Sequence, residues 1–163
     1  MHFSKAIIWA AIATAALPVA AQDWKQSIKD AAKVQANAKM ESTLGLAKPA
    51  PAGAAVYFIN LKNGDTVSNP VLVQFGLKNA GVAPAGTQGD TVGHHHLLID
   101  DPKVDLVQPL PMSEQIKHFG GGQTETTLTL KPGKHTLQLL FADWKHQSFN
   151  PAVMSEKITI TVK

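Results

Sequence analysis

The side chains best able to do chemistry in this chain are its seven histidines, and three of them are consecutive, in Gly93-His94-His95-His96-Leu97-Leu98-Ile99-Asp100. A β-strand turns alternate side chains to opposite faces. His94 and His96 therefore project together with their Cα atoms about 6.6 Å apart, while His95 shares the other face with Leu97 and Ile99. Two imidazoles at that spacing can chelate. With a third from a loop they make a three-ligand site that leaves a position open, and neutral imidazole suits Zn²⁺ or Cu²⁺. The same pair can equally serve as hydrogen-bonded scaffolding, and His95 is expected to be structural in that sense.

The further ligand candidates are His118, which precedes Gly120-Gly121-Gly122, and Asp143 and His146, which follow the apolar stretch ending at Phe141. The expected centre is thus a divalent metal site, Cu or Zn, built from His94, His96, His118, His146 and Asp143. His135 sits at the start of its strand, at the opposite end, and is expected to be structural. Zinc-bound water ionises near neutral pH, so an open site can be hydrolytic. No carboxylate is evidently placed as general base, with Glu114 and Glu125 the candidates. Met112 and Met154 are possible soft copper ligands or apolar fillers. Trp144 beside Lys145 is either a sugar-stacking platform or a cover for the end of the core.

Other chemistries lack their residues. With no cysteine there is no thiol nucleophile. The serines lie in no nucleophile motif. Gly120-Gly121-Gly122 is not a phosphate loop, because no Gly-Lys-Ser/Thr leads it into a helix. All fifteen basic residues are lysine, scattered against twelve acids. That pattern argues against nucleic acid, and the missing arginine against bidentate phosphate or carboxylate recognition.

The elements that must position these residues are short strands. Val56 and Phe58 mark a strand over 55–61 that ends at the turn Asn63-Gly64-Asp65. Val71, Val73, Phe75 and Leu77 alternate with Leu72, Gln74, Gly76 and Lys78, the pattern of a half-buried strand. The histidine strand follows at 94–99. Residues 100–123, with Pro102, Pro109 and Pro111, are too long for a plain connector and imply a functional loop or a short edge strand near Leu106. Thr124 to Leu130 and His135 to Phe141 alternate on either side of Lys131-Pro132-Gly133-Lys134 and are expected to form a hairpin. Ile158, Ile160 and Val162 mark the last strand. Six to seven antiparallel strands without a helix over 54–163 imply an all-β, immunoglobulin-like β-sandwich, with a small barrel as the alternative. Its core is expected to hold Val73, Phe75, Leu97, Ile99, Leu128, Leu137, Leu139 and Ile160. Strand alternation then brings His94, His96, His118, Asp143 and His146 to one end.

Before this domain, residues 1–21 read as a secretory signal peptide: Lys5, an apolar run too short to span a bilayer, and Val19 and Ala21 at the cleavage positions. Export to the periplasm is the expectation, with no integral membrane segment in the mature chain. Residues 22–53 read as an amphipathic helical or loosely ordered segment followed by the Pro/Ala linker Lys48-Pro49-Ala50-Pro51-Ala52-Gly53.

Four motifs in order also resemble a known family. Residues 56–65, 93–100, 118–125 (His118-Phe119-Gly120-Gly121-Gly122-Gln123-Thr124-Glu125) and 132–139 are similar to the bacterial secreted domain of unknown function 4399, over about residues 55–162. The resemblance implies a single exported β-domain and no established activity. Function therefore rests on the residues, which support three classes: a periplasmic metal-binding module, a non-catalytic module holding an envelope protein or glycan through the same loop end, and a metal hydrolase. Oligomeric state is not encoded in any recognisable pattern.

Overall fold

A computed structural model describes residues 24–33, 36 and 47–163, so the expected signal peptide at 1–21 lies outside the described residues. Residues 24–33 form a helix whose Trp24 and Ile28 are exposed. It belongs to a separate unit from the β-domain. No helix among the described residues is long and apolar enough to cross a membrane.

The β-domain contains ten strands among the described residues: β1 (Ala55–Phe58), β2 (Thr66–Val67), β3 (Val71–Lys78), β4 (Gly81–Val82), β5 (Val92–Ile99), β6 (Ile116–His118), β7 (Glu125–Leu128), β8 (Gly133–Ala142), β9 (Ser148–Met154) and β10 (Ile158–Val162). One sheet has the order β1-β3-β7. The larger runs β2-β10-β8-β5-β4, with β6 added to β5 and β9 to β8. The β-sandwich expected from the alternating pattern is the observed fold, and the surplus over six or seven strands comes from two- and three-residue pieces.

Alternation decides what each sheet buries. Val56, Val73 and Phe75 from the smaller sheet meet Leu97, Ile99, Leu137, Leu139, Phe141 and Ile160 from the larger. All eight expected core residues are buried in this layer. Burying each such side chain contributes about 1.5–3 kcal/mol.

The larger sheet has a second, smaller apolar layer on its outer face. Leu140 and Ala142 of β8, pointing away from the main core, are covered by Leu110, with Val104, Leu106 and Met154 packed alongside. The long 100–115 segment is therefore a cover folded over the outer face. Leu106 belongs to that cover, and the edge strand lies at Ile116–His118 instead. Three prolines explain the shift, since each lacks the amide a ladder needs.

Two further expectations are corrected. The stretches around Thr124–Leu130 and His135–Phe141 do not pair as a hairpin, because β7 pairs with β3 and β8 with β5 and β10. β7 belongs to the smaller sheet and β8 to the larger, so the turn between them carries the chain from one sheet to the other. The Pro/Ala linker is also built into the domain: Asn150 donates to the Lys48 carbonyl at 2.7 Å, Ala50 donates to the Asn150 carbonyl at 3.0 Å, and Pro51 is buried. A proline-stiffened strip beside β9 can dock with little entropy loss, which composition alone does not reveal.

Candidate metal centre

β5 carries the site. Its inner neighbour β8 pairs His94 with Ala142 and His96 with Leu140, and β6 on the other side pairs His96 with His118. Directly paired residues share a face. His94, His96 and His118 thus stand together on the outer face of the larger sheet, beside the second apolar layer. Gly93, one residue earlier, lies so close to the Ala142 carbonyl that a Cβ has no room there, which lets β5 and β8 meet at the start of the site.

The fourth imidazole comes from the β8–β9 turn. His146 has a positive φ of 65°, an uncommon conformation for a side-chain-bearing residue and one that redirects the chain. Asp143 fixes this turn: its Oδ1 accepts from the amides of Lys145 at 2.8 Å and Gln147 at 2.9 Å, and its carbonyl accepts from the His146 amide at 2.9 Å. Expected as a ligand, Asp143 is not in the group of ligand atoms formed by His94, His96 and His118. One carboxylate oxygen is already held by two amides, and the residue aims His146. The cover segment braces the same turn, with Leu110 donating to the His146 carbonyl at 2.9 Å and Gln147 Nε2 donating to the Leu106 carbonyl at 2.9 Å.

The four rings converge closely. His94 Nε2 and His96 Nε2 are 3.1 Å apart, as are His118 Nε2 and His146 Nε2. Ring centroids of His94 lie 4.9, 4.9 and 5.0 Å from those of His96, His118 and His146. His94, His96 and His118 form a group whose ligand atoms all lie within 4.8 Å of one another, able to hold a metal ion. His146 joins through His118 and stands farther from His96, at 6.0 Å between centroids. A tetrahedral ion with metal–nitrogen bonds of 2.0–2.1 Å needs nitrogens about 3.3 Å apart. The two 3.1 Å pairs are close to that.

Burial divides the four into two tiers. His94 and His96 are fully buried, whereas His118 and His146 are partly exposed. Burial, with the neighbouring imidazoles adding to it, lowers the His94 pKa to about 4 and that of His96 to about 3. Burial and His146 also lower that of His118. All three are therefore neutral at pH 7, the form that donates a lone pair. The Nδ1 atoms of His94 and His96 are buried without a protein partner.

The triple glycine serves a histidine. A Cβ on Gly120 would overlap Cε1 and Nε2 of His118, so a side chain there requires the imidazole to move. The loop is tied down further, with Ala85 donating to the Gly120 carbonyl at 2.8 Å.

The remaining expectations divide. His95 is structural but not hydrogen-bonded: it lies fully buried between Phe75 and Phe141, at 5.2 and 5.4 Å, and neither ring nitrogen has a protein partner. Burial lowers its pKa to about 4. His135 is at the far end of β8, where Asp100 meets Nδ1 at 2.9 Å and the Lys131 carbonyl meets Nε2 at 2.8 Å. Glu125 is engaged by Gln74 Nε2 at 3.0 Å, Glu114 is exposed, and neither belongs to the imidazole group. Met154 is an apolar filler of the second layer, and Met112 is exposed. The Trp144 ring is covered by Lys145 Nζ at 4.9 Å, which occupies a face a sugar would need. Sequence reasoning missed the roles of Asp143 and Gly120 as positioning residues. A glycine two residues after a histidine was the only visible signal for the latter.

Comparison with known families matches residues 73–163 to a model described as domain of unknown function (DUF4399). The match spans β3 to β10 and includes every residue of the site. The motif at 56–65 lies outside it. No curated protein and no solved structure matches the chain.

Proposed function

Because the chain belongs to the domain of unknown function 4399 family, whose matched region contains the whole histidine cluster, we propose that it is an exported, periplasmic module that binds a transition-metal ion of the copper–zinc class. The observation that carries this is the convergence of four imidazoles from β5, β6 and the β8–β9 turn, with two buried Nε2 atoms 3.1 Å apart. His135 ends on a carboxylate and a carbonyl, and His95 packs between phenyl rings. The four converging imidazoles end on one another. His94, His96 and His118 are the ligands, His146 is the fourth donor on the solvent side, and Asp143 and Gly120 position the last two. Periplasmic placement rests on the signal-peptide pattern of residues 1–21.

The test is isothermal titration of protein purified without a His-tag. Wild type should bind at micromolar affinity or tighter, His96→Ala at least tenfold more weakly, and His135→Ala with unchanged affinity. Equal affinities in all three, or no binding by wild type, would remove the metal reading and leave an envelope interaction module as the better account.

A further inference from the structure

One exposed loop is bonded to every element that supplies an imidazole. We propose, resting on the metal-site reading above, that residues 83–87 are the positioning loop of the histidine centre, whose closure and metal binding stabilise each other.

The loop begins where β4 leaves its ladder with β5. Ala83 donates to the carbonyl of Gly93, the residue before His94, at 2.7 Å. Thr87 donates to the Pro84 carbonyl at 3.0 Å and closes a turn over Pro84-Ala85-Gly86-Thr87. Gly86 stands at the third position of this turn with a φ of 87°, the left-handed geometry that a type II turn requires there and that favours glycine. Such a turn pairs the amide of its last residue and leaves those of its two central residues free to reach other segments. Here both find carbonyls beside the outer histidines. Ala85 donates to Gly120 at 2.8 Å, just after His118, and Gly86 donates to Trp144 at 3.1 Å, just before His146. Amides of one short loop thus grip β5, the loop leaving β6 and the β8–β9 turn.

The outer tier is where such a grip matters. His94 and His96 are fixed by the ladder between β5 and β8 and are fully buried. His118 ends a three-residue strand and His146 lies in a turn, both partly exposed. Bringing four donors onto one ion costs the freedom of each segment not already held, so affinity follows how far those segments are ordered beforehand. Pro84, Gly86 and Thr87 are exposed, so the loop adds little to the core while its amides reach the neighbours of the donors. Coupling of this kind is reciprocal: the factor that loop closure adds to metal affinity is the factor that the ion adds to loop closure.

Gly86 gives a clean substitution, because a Cβ there meets nothing within 4 Å and acts only through its unfavourable φ. Gly64 is the control, with a φ of 90° and equally open surroundings, bonded to Thr159 of β10 and not to the site. The full chain is titrated calorimetrically with Zn²⁺ or Cu²⁺, whichever wild type binds more tightly. Gly86→Val should weaken binding about tenfold. Gly86→Asn should weaken it less, because asparagine tolerates a positive φ, and Gly64→Val should stay within about twofold of wild type. Thermal midpoints of the two metal-free valine variants should fall alike, which leaves affinity as the difference between them. In wild type, amide exchange at Ala85 and Gly86, read by NMR, should slow about fivefold or more when the ion is added. That readout needs no variant to fold. Equal affinities of Gly86→Val and Gly64→Val, or unchanged exchange at both amides, overturn the positioning role and leave the histidine site standing. Folded wild type that binds neither ion overturns both.

Discussion

The two faces of β5 carry the same residue at the same depth and put it to different use. His95 and its neighbours His94 and His96 are all fully buried. On the inner face, His95 meets the rings of Phe75 and Phe141 and fills space as a flat aromatic body. On the outer face, His94 and His96 meet other imidazoles. Burial alone therefore does not make a histidine a ligand. What decides is whether the groups within reach are hydrocarbon or lone pairs, and that is set by the strands placed beside β5.

The largest effect should come from acid. For the metal-free protein, His94, His95 and His96 have folded-state pKa values of about 4, 4 and 3 against about 6.5 unfolded. Their contribution to stability is complete above about pH 6.5 and is lost as pH falls toward their folded values, because the unfolded chain takes up the protons first. Each should remove roughly 1 kcal/mol per pH unit between about 6.5 and 4. Chemical denaturation from pH 7 to 4 measures this. A flat profile would mean that both faces are wetter than the structure has them.

Next in size is the layer shared by the comparison. Leu139→Ala should cost about 2–5 kcal/mol in thermal or urea unfolding, since Leu139 is fully buried in the main core. A near-neutral result would reverse the assignment of faces along β8, and with it those of β5.

The sharpest contrast is a pair of like substitutions. His96→Phe should abolish the inner ligand pair and lower metal affinity at least tenfold. His95→Phe should leave affinity within about twofold and change stability by no more than about 1–3 kcal/mol, as a swap of one buried ring for a somewhat larger one. Similar losses from both would show that the two faces are not distinct.

A smaller loss is expected from Gly120→Ala, whose methyl group displaces the His118 ring on the partly exposed tier. Affinity should fall several-fold, less than for His96→Phe, with little change in the unfolding midpoint. An unchanged affinity would take His118 out of the donor set.

Much of this was legible in the chain itself. Period-two alternation set which side chains of β3, β5, β8 and β10 point inward, because a strand's faces are fixed by covalent geometry whatever it pairs with. The same rule separated His94 and His96 from His95. It also put His118 and His146 at the histidine end and His135 at the other. Partners were a different matter. That β7 pairs with β3, that His118 rides a short strand opposite His96, and that residues 100–115 fold over Leu140 and Ala142 depend on contacts between residues distant in sequence. Such contacts follow from which packing buries the most apolar surface at once, a property of the whole fold. The local pattern settles the direction each side chain takes from its own backbone. Only the tertiary structure decides what it meets, and so why Asp143 orients a turn, why Gly120 sits against His118, and why four of the six described histidines share one site.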